Sequence, residues 1–498
     1  MERKFIILSI FLFCVSIISQ GQIEEHYSAD WESLSKHNQA PEWFADAKLG
    51  IYFHWGIYSV PAYNGAWYPF DMYRDGTKVK EYHTKTYGDP SEFSYHDFVP
   101  QFTAEHFDAA DWAQLFKDAG AKFAGPCAQH HDGFALWDSR VNPWNAADRG
   151  PKQDITGKLE KAVKRQGMKF ITTFHHARNL QRHKGDSTKW DTYTSHYAYH
   201  PNYATSSTNP DTAKLYGNIP EAEFHQYWFD QLKEVIDQYS PDIIWFDSWL
   251  KLIPEEYRQA FAAYYLNEAK KKKQEVVIAY KQKDMPASVG VLDIEQGGKK
   301  DLSESVWLTD ITLSTKTWCY TKDQQYKSAA MVVRNMIDVW SKNGVVLLNV
   351  SPMANGIINQ QQRVILREIG GWMNKYQEAI YETRAFDVYG FGTAKTKDGH
   401  FGGQTATTQY TAADGRFLKS KDEKTLYLFM LGKPTVGNVI ELSQLAPHTF
   451  YPEKGIKRIS VMGTDIEVPW KFGKRHIQIT VPDAALDEIA TVFKIELN

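Results

Sequence analysis

Asp247 stands where an apolar run stops. The stretch Pro241-Asp242-Ile243-Ile244-Trp245-Phe246-Asp247-Ser248-Trp249 sets four consecutive apolar residues before a carboxylate, a small residue and a Trp. Such a short continuous run fits a strand buried on both faces, as in a parallel sheet under helices. The carboxylate then marks the strand's C-terminal end. Other candidate strands end in His54-Trp55, in His130-His131-Asp132 and in His175-His176, and later ones carry Glu295 and Trp307. In a β/α barrel this end of the sheet carries the chemistry. Imidazoles hydrogen-bond hydroxyls, indole faces cover the C–H patches of a sugar ring, and two carboxylates can share acid–base work. A pocket built from these groups suits a polyhydroxylated substrate. Each group alone has a plainer explanation, as a helix cap, an ion pair or a satisfied core histidine. Their recurrence at several strand ends favours one shared site.

The elements that must position these groups are readable in order. Strands are predicted at Lys48 to Gly56, Lys122 to Cys127, Met168 to Phe174, Asp242 to Phe246, Glu275 to Tyr280, Val289 to Ile294, Val306 to Leu313 and Val345 to Val350. Helices are predicted at Thr103 to Gly120, Asp154 to Gly167, from Glu221 through Tyr239, Pro254 to Lys273, Tyr326 to Lys342 and Asn359 to Tyr381. In the first of these, Trp112, Leu115, Phe116 and Ala119 fall on one face. Eight strands mostly separated by helices point to a parallel (β/α) barrel, an α/β fold. A doubly wound open sheet has the same periodicity, but no glycine-rich phosphate fingerprint supports it. Residues 184–220 form a long polar loop of the kind that is functional or disordered. Beyond about residue 385 helical periods give way to short strands split by Gly, Pro and Asp, which predicts a β-sandwich. The expected organisation is a signal peptide over 1–22, a barrel over 23–384 and a β-sandwich over 385–498.

Composition is ordinary for a globular chain: 498 residues, 43% hydrophobic, 23% charged, net charge -3. That balance favours no nucleic-acid partner. Arg3 and Lys4, the apolar stretch Phe5 to Ile18 and the small residues of Ser19-Gln20-Gly21 read as a secretory signal. No later stretch is apolar enough to span a membrane, so the expectation is an exported, periplasmic or secreted protein. Of three cysteines, Cys14 leaves with the signal, and Cys127 and Cys319 sit in apolar contexts typical of buried thiols. Whether they pair is not readable from sequence. No Cys/His spacing indicates zinc, and no metal or cofactor is expected.

Four segments carry a resemblance. Phe53-His54-Trp55-Gly56-Ile57-Tyr58-Ser59-Val60-Pro61, His130-His131-Asp132-Gly133-Phe134, Trp245-Phe246-Asp247 and Leu347-Leu348-Asn349-Val350-Ser351-Pro352 resemble, in this order, the retaining α-L-fucosidases of glycoside hydrolase family 29. The resemblance runs from about Trp43 to Tyr381, more loosely beyond. It implies a barrel followed by a β-sandwich, two catalytic carboxylates and no metal. It implies Asp247 as nucleophile, His54, His130 and His131 as holders of the sugar hydroxyls, and Trp67 and Trp245 lining the same subsite. Val291-Leu292-Asp293-Ile294-Glu295-Gln296-Gly297 resembles the acid/base segment of some branches. Strand alternation puts Asp293 and Glu295 on the same side. Glu295 is preferred because it lies nearer the C-terminal end, with Asp293 the rival.

Two departures from that family bear on recognition. Ala66 precedes Trp67-Tyr68 where a carboxylate is common, and Ala279-Tyr280-Lys281 ends the strand after the nucleophile where Arg is common. Lys281 is accordingly a substrate-binding candidate with a point charge in place of a planar fork. The expected activity is hydrolysis of terminal α-L-fucosyl residues from oligosaccharides or glycans. The alternatives are a relative with relaxed specificity for L-galacto-configured sugars, and a non-catalytic carbohydrate-binding protein.

Overall fold

The computed structural model describes residues 26–394, 396–400, 407–445, 455–464, 466–472 and 476–498. The segment read as an export signal, with Cys14, lies outside the described residues.

All eight predicted barrel strands form, at Leu49–Phe53, Phe123–Gln129, Lys169–Phe174, Ile243–Phe246, Val277–Lys281, Val291–Asp293, Trp307–Thr312 and Gly344–Val350. They pair in chain order. The first strand pairs in parallel with both the second and the eighth, which closes the sheet and excludes the doubly wound alternative. Helices Ala109–Asp118, Ile155–Arg165, Glu221–Tyr239, Glu255–Lys271, Ala329–Ser341 and Gln360–Lys375 pack around it. Helix Ile155–Arg165 shows how local sequence sets them. The Asp154 side chain accepts the Gly157 N–H at the N-cap, and Ile155, Leu159 and Val163 are buried.

The strands are buried on both faces, so side chains alternate between two cores. Tyr52, Ile171, Ile243, Trp245, Val277, Ala279, Val291, Leu308 and Leu347 fill the barrel interior. Their neighbours Ile51, Phe53, Ile244, Phe246, Ile278 and Leu348 pack outward under the helices. This alternation decides the site. Seven of the eight inward rows end, at the C-terminal end, in a polar residue of the same parity: His54, His175, Asp247, Lys281, Asp293 with Glu295, Asp310 and Asn349.

After the barrel, a five-stranded antiparallel sheet runs in the order Thr383–Phe391, Gly415–Ser420, Thr425–Met430, Thr491–Leu497, Ile456–Val461. A three-stranded sheet of Val439–Leu442, Ile477–Thr480 and Trp470–Phe472 faces it, and Phe417, Leu428, Ile459, Phe493, Ile477 and Ile479 form the core between them. The sequence pattern marks strands at Thr425 to Gly432, Val439 to Leu442, Ile459 to Met462, His476 to Val481 and Val492 to Leu497 and misses Thr383–Phe391, Gly399–His400, Gly415–Ser420 and Trp470–Phe472. The first is mostly half-buried, and the last is short with an exposed Phe472. Neither shows a clean apolar alternation. Asp338 anchors this unit to the barrel, taking bonds from Arg416 Nε at 2.6 Å and Lys342 Nζ at 2.8 Å. Among the described residues no helix is long and apolar enough to cross a membrane.

Candidate active site

A cavity of about 200 Å³ opens at the C-terminal ends of the barrel strands. Drug-sized pockets run from roughly 300 to 1,000 Å³, so this one is scaled to a single sugar ring. Asp247 lies in its wall with its amide bonded to Phe174 O at 3.0 Å. Its carboxylate has three partners: His131 Nε2 at 3.1 Å and His175 Nδ1 at 3.4 Å on Oδ2, and Lys281 Nζ at 3.1 Å on Oδ1. Burial works to raise the Asp247 carboxyl. The Lys281 ammonium and the two imidazoles outweigh it and hold the group well below the usual carboxylate range.

Lys281 is the hub. Besides Asp247, its ammonium reaches Glu295 Oε2 at 2.8 Å and Asp310 Oδ2 at 3.2 Å. A lysine has three N–H donors, and here each has a carboxylate. Burial opposes its charge, but Asp310, Glu295, Asp247 and Asp293 together drive it well above the ordinary lysine value. The sequence reading placed Lys281 against the sugar; it lines the cavity, and its three donors also join three strand ends. Because one nitrogen lies 3.1 Å from Asp247 and 2.8 Å from Glu295, those two carboxylate oxygens are no more than about 6 Å apart. Retaining glycosidases hold their pair about 5–5.5 Å apart.

Glu295 and Asp293 are now distinguishable. Glu295 lines the cavity with its side chain 32% exposed. Asp293 is buried beneath it, accepting Trp245 Nε1–H at 3.1 Å and the Asp310 amide at 2.9 Å. Burial first, then the Asp310 carboxylate, raise Asp293 well above the ordinary range and favour its protonated form. The Glu295 loop is pinned from outside the barrel: Gly297–Gly298 pairs antiparallel with Gly399–His400. A side chain at Gly297 would put its Cβ 2.5 Å from Gly399 O.

The histidines divide by orientation. The Asn349 amide nitrogen donates to Thr312 Oγ1 and Trp318 O, so its oxygen accepts from His54 Nδ1 at 2.8 Å. That fixes the tautomer and leaves His54 Nε2 as an acceptor. Burial, and then the charge on His175, push both His54 and His130 well below the ordinary histidine value. Burial lowers His131 to about 4 against the pull of its Asp247 bond. His175 goes the other way: burial lowers it, but the Cys127 sulfur and Asp247 raise it to about 10. Its neighbour His176 points out of the barrel, stacked on Trp228 with Nε2 3.4 Å from Trp228 O. His175 thus belongs to the site and His176 to the helix packing, a split the sequence reading left unassigned.

Of the predicted residues, His54, Trp67, His130, His131, Asp247, Lys281 and Glu295 line the cavity. Trp245 does not: it is fully buried as the floor, its ring 5.2 Å from His175. Sequence reasoning missed Arg178, Tyr193, Trp249, Asp310 and Trp318 as wall residues. Asp310 was legible in principle, as the inward polar residue of Trp307–Thr312. Tyr193 comes from the long 184–220 segment, which folds in part into the helix Pro210–Tyr216 and brings this ring to the cavity. Cys127 and Cys319 are both buried free thiols. Two trios could hold a metal by geometry alone, His54 with His130 and His175, and His131 with His175 and Asp247. Each joins different strands, so no local spacing announces it.

The comparisons with known proteins agree with this geometry. The family model described as Alpha-L-fucosidase matches residues 14–378. The chain belongs to the α-L-fucosidase family. Rat tissue α-L-fucosidase is 28% identical over 470 residues, covering 88% of this chain and 93% of the relative. Human tissue α-L-fucosidase is 27% identical over 398 residues, covering 77% and 78%. The structure of Thermotoga maritima α-fucosidase in complex with fucose superposes with a TM-score of 0.73 at 28% identity, covering 94% of this chain and all of that one. This α-L-fucosidase family member therefore has the barrel-plus-sandwich architecture read from its sequence.

Proposed function

We propose that this chain is a retaining exo-α-L-fucosidase acting on fucosylated oligosaccharides or glycans, with Asp247 as nucleophile and Glu295 as acid/base. The observation that carries this is the pairing of Asp247 and Glu295 through one ammonium in the wall of a one-ring cavity. Asp247 is ionised, partly buried and oriented by His131 and His175, so it can attack the anomeric carbon. Glu295, partly exposed on the same wall, protonates the departing glycosidic oxygen and then takes the proton of the water that releases the sugar. His54 Nε2 and the buried, unpartnered His130 Nδ1 are available to hydroxyls. The cavity admits one ring, which fits removal of a terminal residue. As Asp247 becomes an ester it loses its charge, and Lys281 is left to Glu295 and Asp310.

The test of the acid/base assignment uses leaving groups. Activated aryl groups hardly need protonation, whereas a sugar hydroxyl does. Glu295→Ala is expected to lose far more kcat on a fucosyl disaccharide than on a dinitrophenyl fucoside. Equal losses, or the same signature in Asp293→Ala, would move the role elsewhere. We also propose that the protein is exported after removal of residues 1–22. A mature N-terminus that retains Arg3 and Lys4 on exported protein would contradict this.

A further inference from the structure

Arg178 is a charged cavity residue with no part in the chemistry above. It follows the third barrel strand, is 2% exposed, and lines the cavity. Its guanidinium carbon lies 4.7 Å from the ring centre of Trp67, 5.7 Å from Tyr193 and 5.8 Å from Trp249. Those π faces favour a cation but accept none of its N–H groups in the plane of the fork. Nε and Nη2 are buried without a hydrogen-bond partner, and among the described residues no carboxylate pairs with it. A buried guanidinium left this way is unusual, because π faces and a carboxylate out of hydrogen-bond reach only partly offset its desolvation.

The surroundings sharpen the point. Burial opposes the charge on Arg178, Asp247 favours it, and Arg74 and Arg182 oppose it, leaving the group lowered to about 10. Asp247 is consumed as a charge when it becomes an ester, so in mid-reaction Arg178 faces the cavity without that counter-charge. Ala66, beside Trp67, brings no carboxylate; it is packed against Tyr58 and Cys319. None of the fourteen lining side chains is aliphatic, so the wall offers polar and aromatic partners to every substituent of the sugar.

We propose that the sugar filling this cavity carries an anionic substituent, a sulfate ester or a carboxylate, and that Arg178 is the residue that selects it. The proposal rests on the retaining-glycosidase reading above; a sulfated fucoside narrows its substrate class, whereas a galacturonide would replace the fucosyl group. A planar fork matches the two oxygens of either group bidentately.

The experiment compares kcat/KM of the full-length protein on nitrophenyl α-L-fucoside and its mono-sulfates at each ring hydroxyl. The same is done for nitrophenyl α-L-galactoside, its primary sulfate and the α-L-galacturonide. The wild type is expected to prefer at least one anionic glycoside over its own neutral parent tenfold or more. Arg178→Leu should reduce that ratio by roughly 10- to 150-fold, the effect of one hydrogen bond to a charged group. Arg178→Lys, which keeps the charge without the fork, should fall between. The sulfates and the galacturonide decide which anion is meant. Turnover of the neutral glycosides with no anionic one preferred overturns this proposal and leaves the fucosidase reading standing. So does a ratio unmoved in a folded Arg178→Leu. Turnover of none overturns both.

Discussion

Lys281→Met removes one positive charge from between three carboxylates and nearly preserves volume. Asp247 and Glu295 then face each other with oxygens no more than about 6 Å apart. At an effective dielectric of about 20, opposite charges about 3 Å apart attract by about 5 kcal/mol, so Asp247 loses the attraction that does most to depress it. The acid limb of kcat/KM, which follows ionisation of Asp247, should move up toward the ordinary carboxylate range. Stability should fall by about 3–5 kcal/mol, the usual effect of orphaning buried charges. The sign with pH follows from the two shifts. Asp247 is depressed in the folded state, so its contribution is present above the unfolded carboxylate value of about 3.9 and is lost as pH falls through the folded value. Lys281 is raised, so its contribution is full below about 10.4 and is lost as pH rises through the folded value. The gap between wild type and variant should be full at pH 7 and narrow in acid as the variant's carboxylates protonate. Urea denaturation followed by tryptophan fluorescence at several pH values, beside the pH–rate profile, reads both effects. An unmoved acid limb, with less than about 1 kcal/mol lost and no narrowing in acid, would refute the hub role of Lys281.

Two further predictions concern the histidines. His175 is raised to about 10, so its contribution to stability is complete below the unfolded value of about 6.5 and is lost as pH rises toward 10. His175→Gln should flatten the fall in thermal midpoint over that range; an identical slope in both proteins would contradict the assignment of charge. Asn349→Ala should free the His54 ring and leave Nδ1 unpaired, costing about 1–3 kcal/mol, or roughly 5- to 150-fold in kcat/KM; retention of full activity would show that the tautomer lock is irrelevant.

The barrel was legible because its strands are buried twice over, and double burial writes itself as unbroken apolar runs. The strand ends were legible for the same reason: a polar residue in phase with an inward row has to face the mouth of the barrel. Alternation assigns a side and not a partner, so nothing local could place the Lys281 ammonium against carboxylates from three other strand ends. Nor could it separate Asp293 from Glu295, which share a side and differ only in depth. His130 reaches the site because the pairing of the second strand shifts between Cys127 and Gln129, an irregularity no spacing rule reveals. Trp245 was assigned to the subsite wall, yet its large ring belongs to the floor, where its indole N–H meets Asp293. Arg178 and Tyr193 arrive from irregular segments whose course depends on tertiary packing.

The most direct test of the central claim is covalent trapping. Wild-type protein is incubated with a 2-deoxy-2-fluoro-fucosyl donor bearing an activated leaving group, digested and mapped by mass spectrometry. The account expects one added fluorofucosyl group, carried on Asp247, with turnover resuming as the adduct decays. A label on another carboxylate, or no adduct together with inverted stereochemistry in the first-formed product, would contradict it.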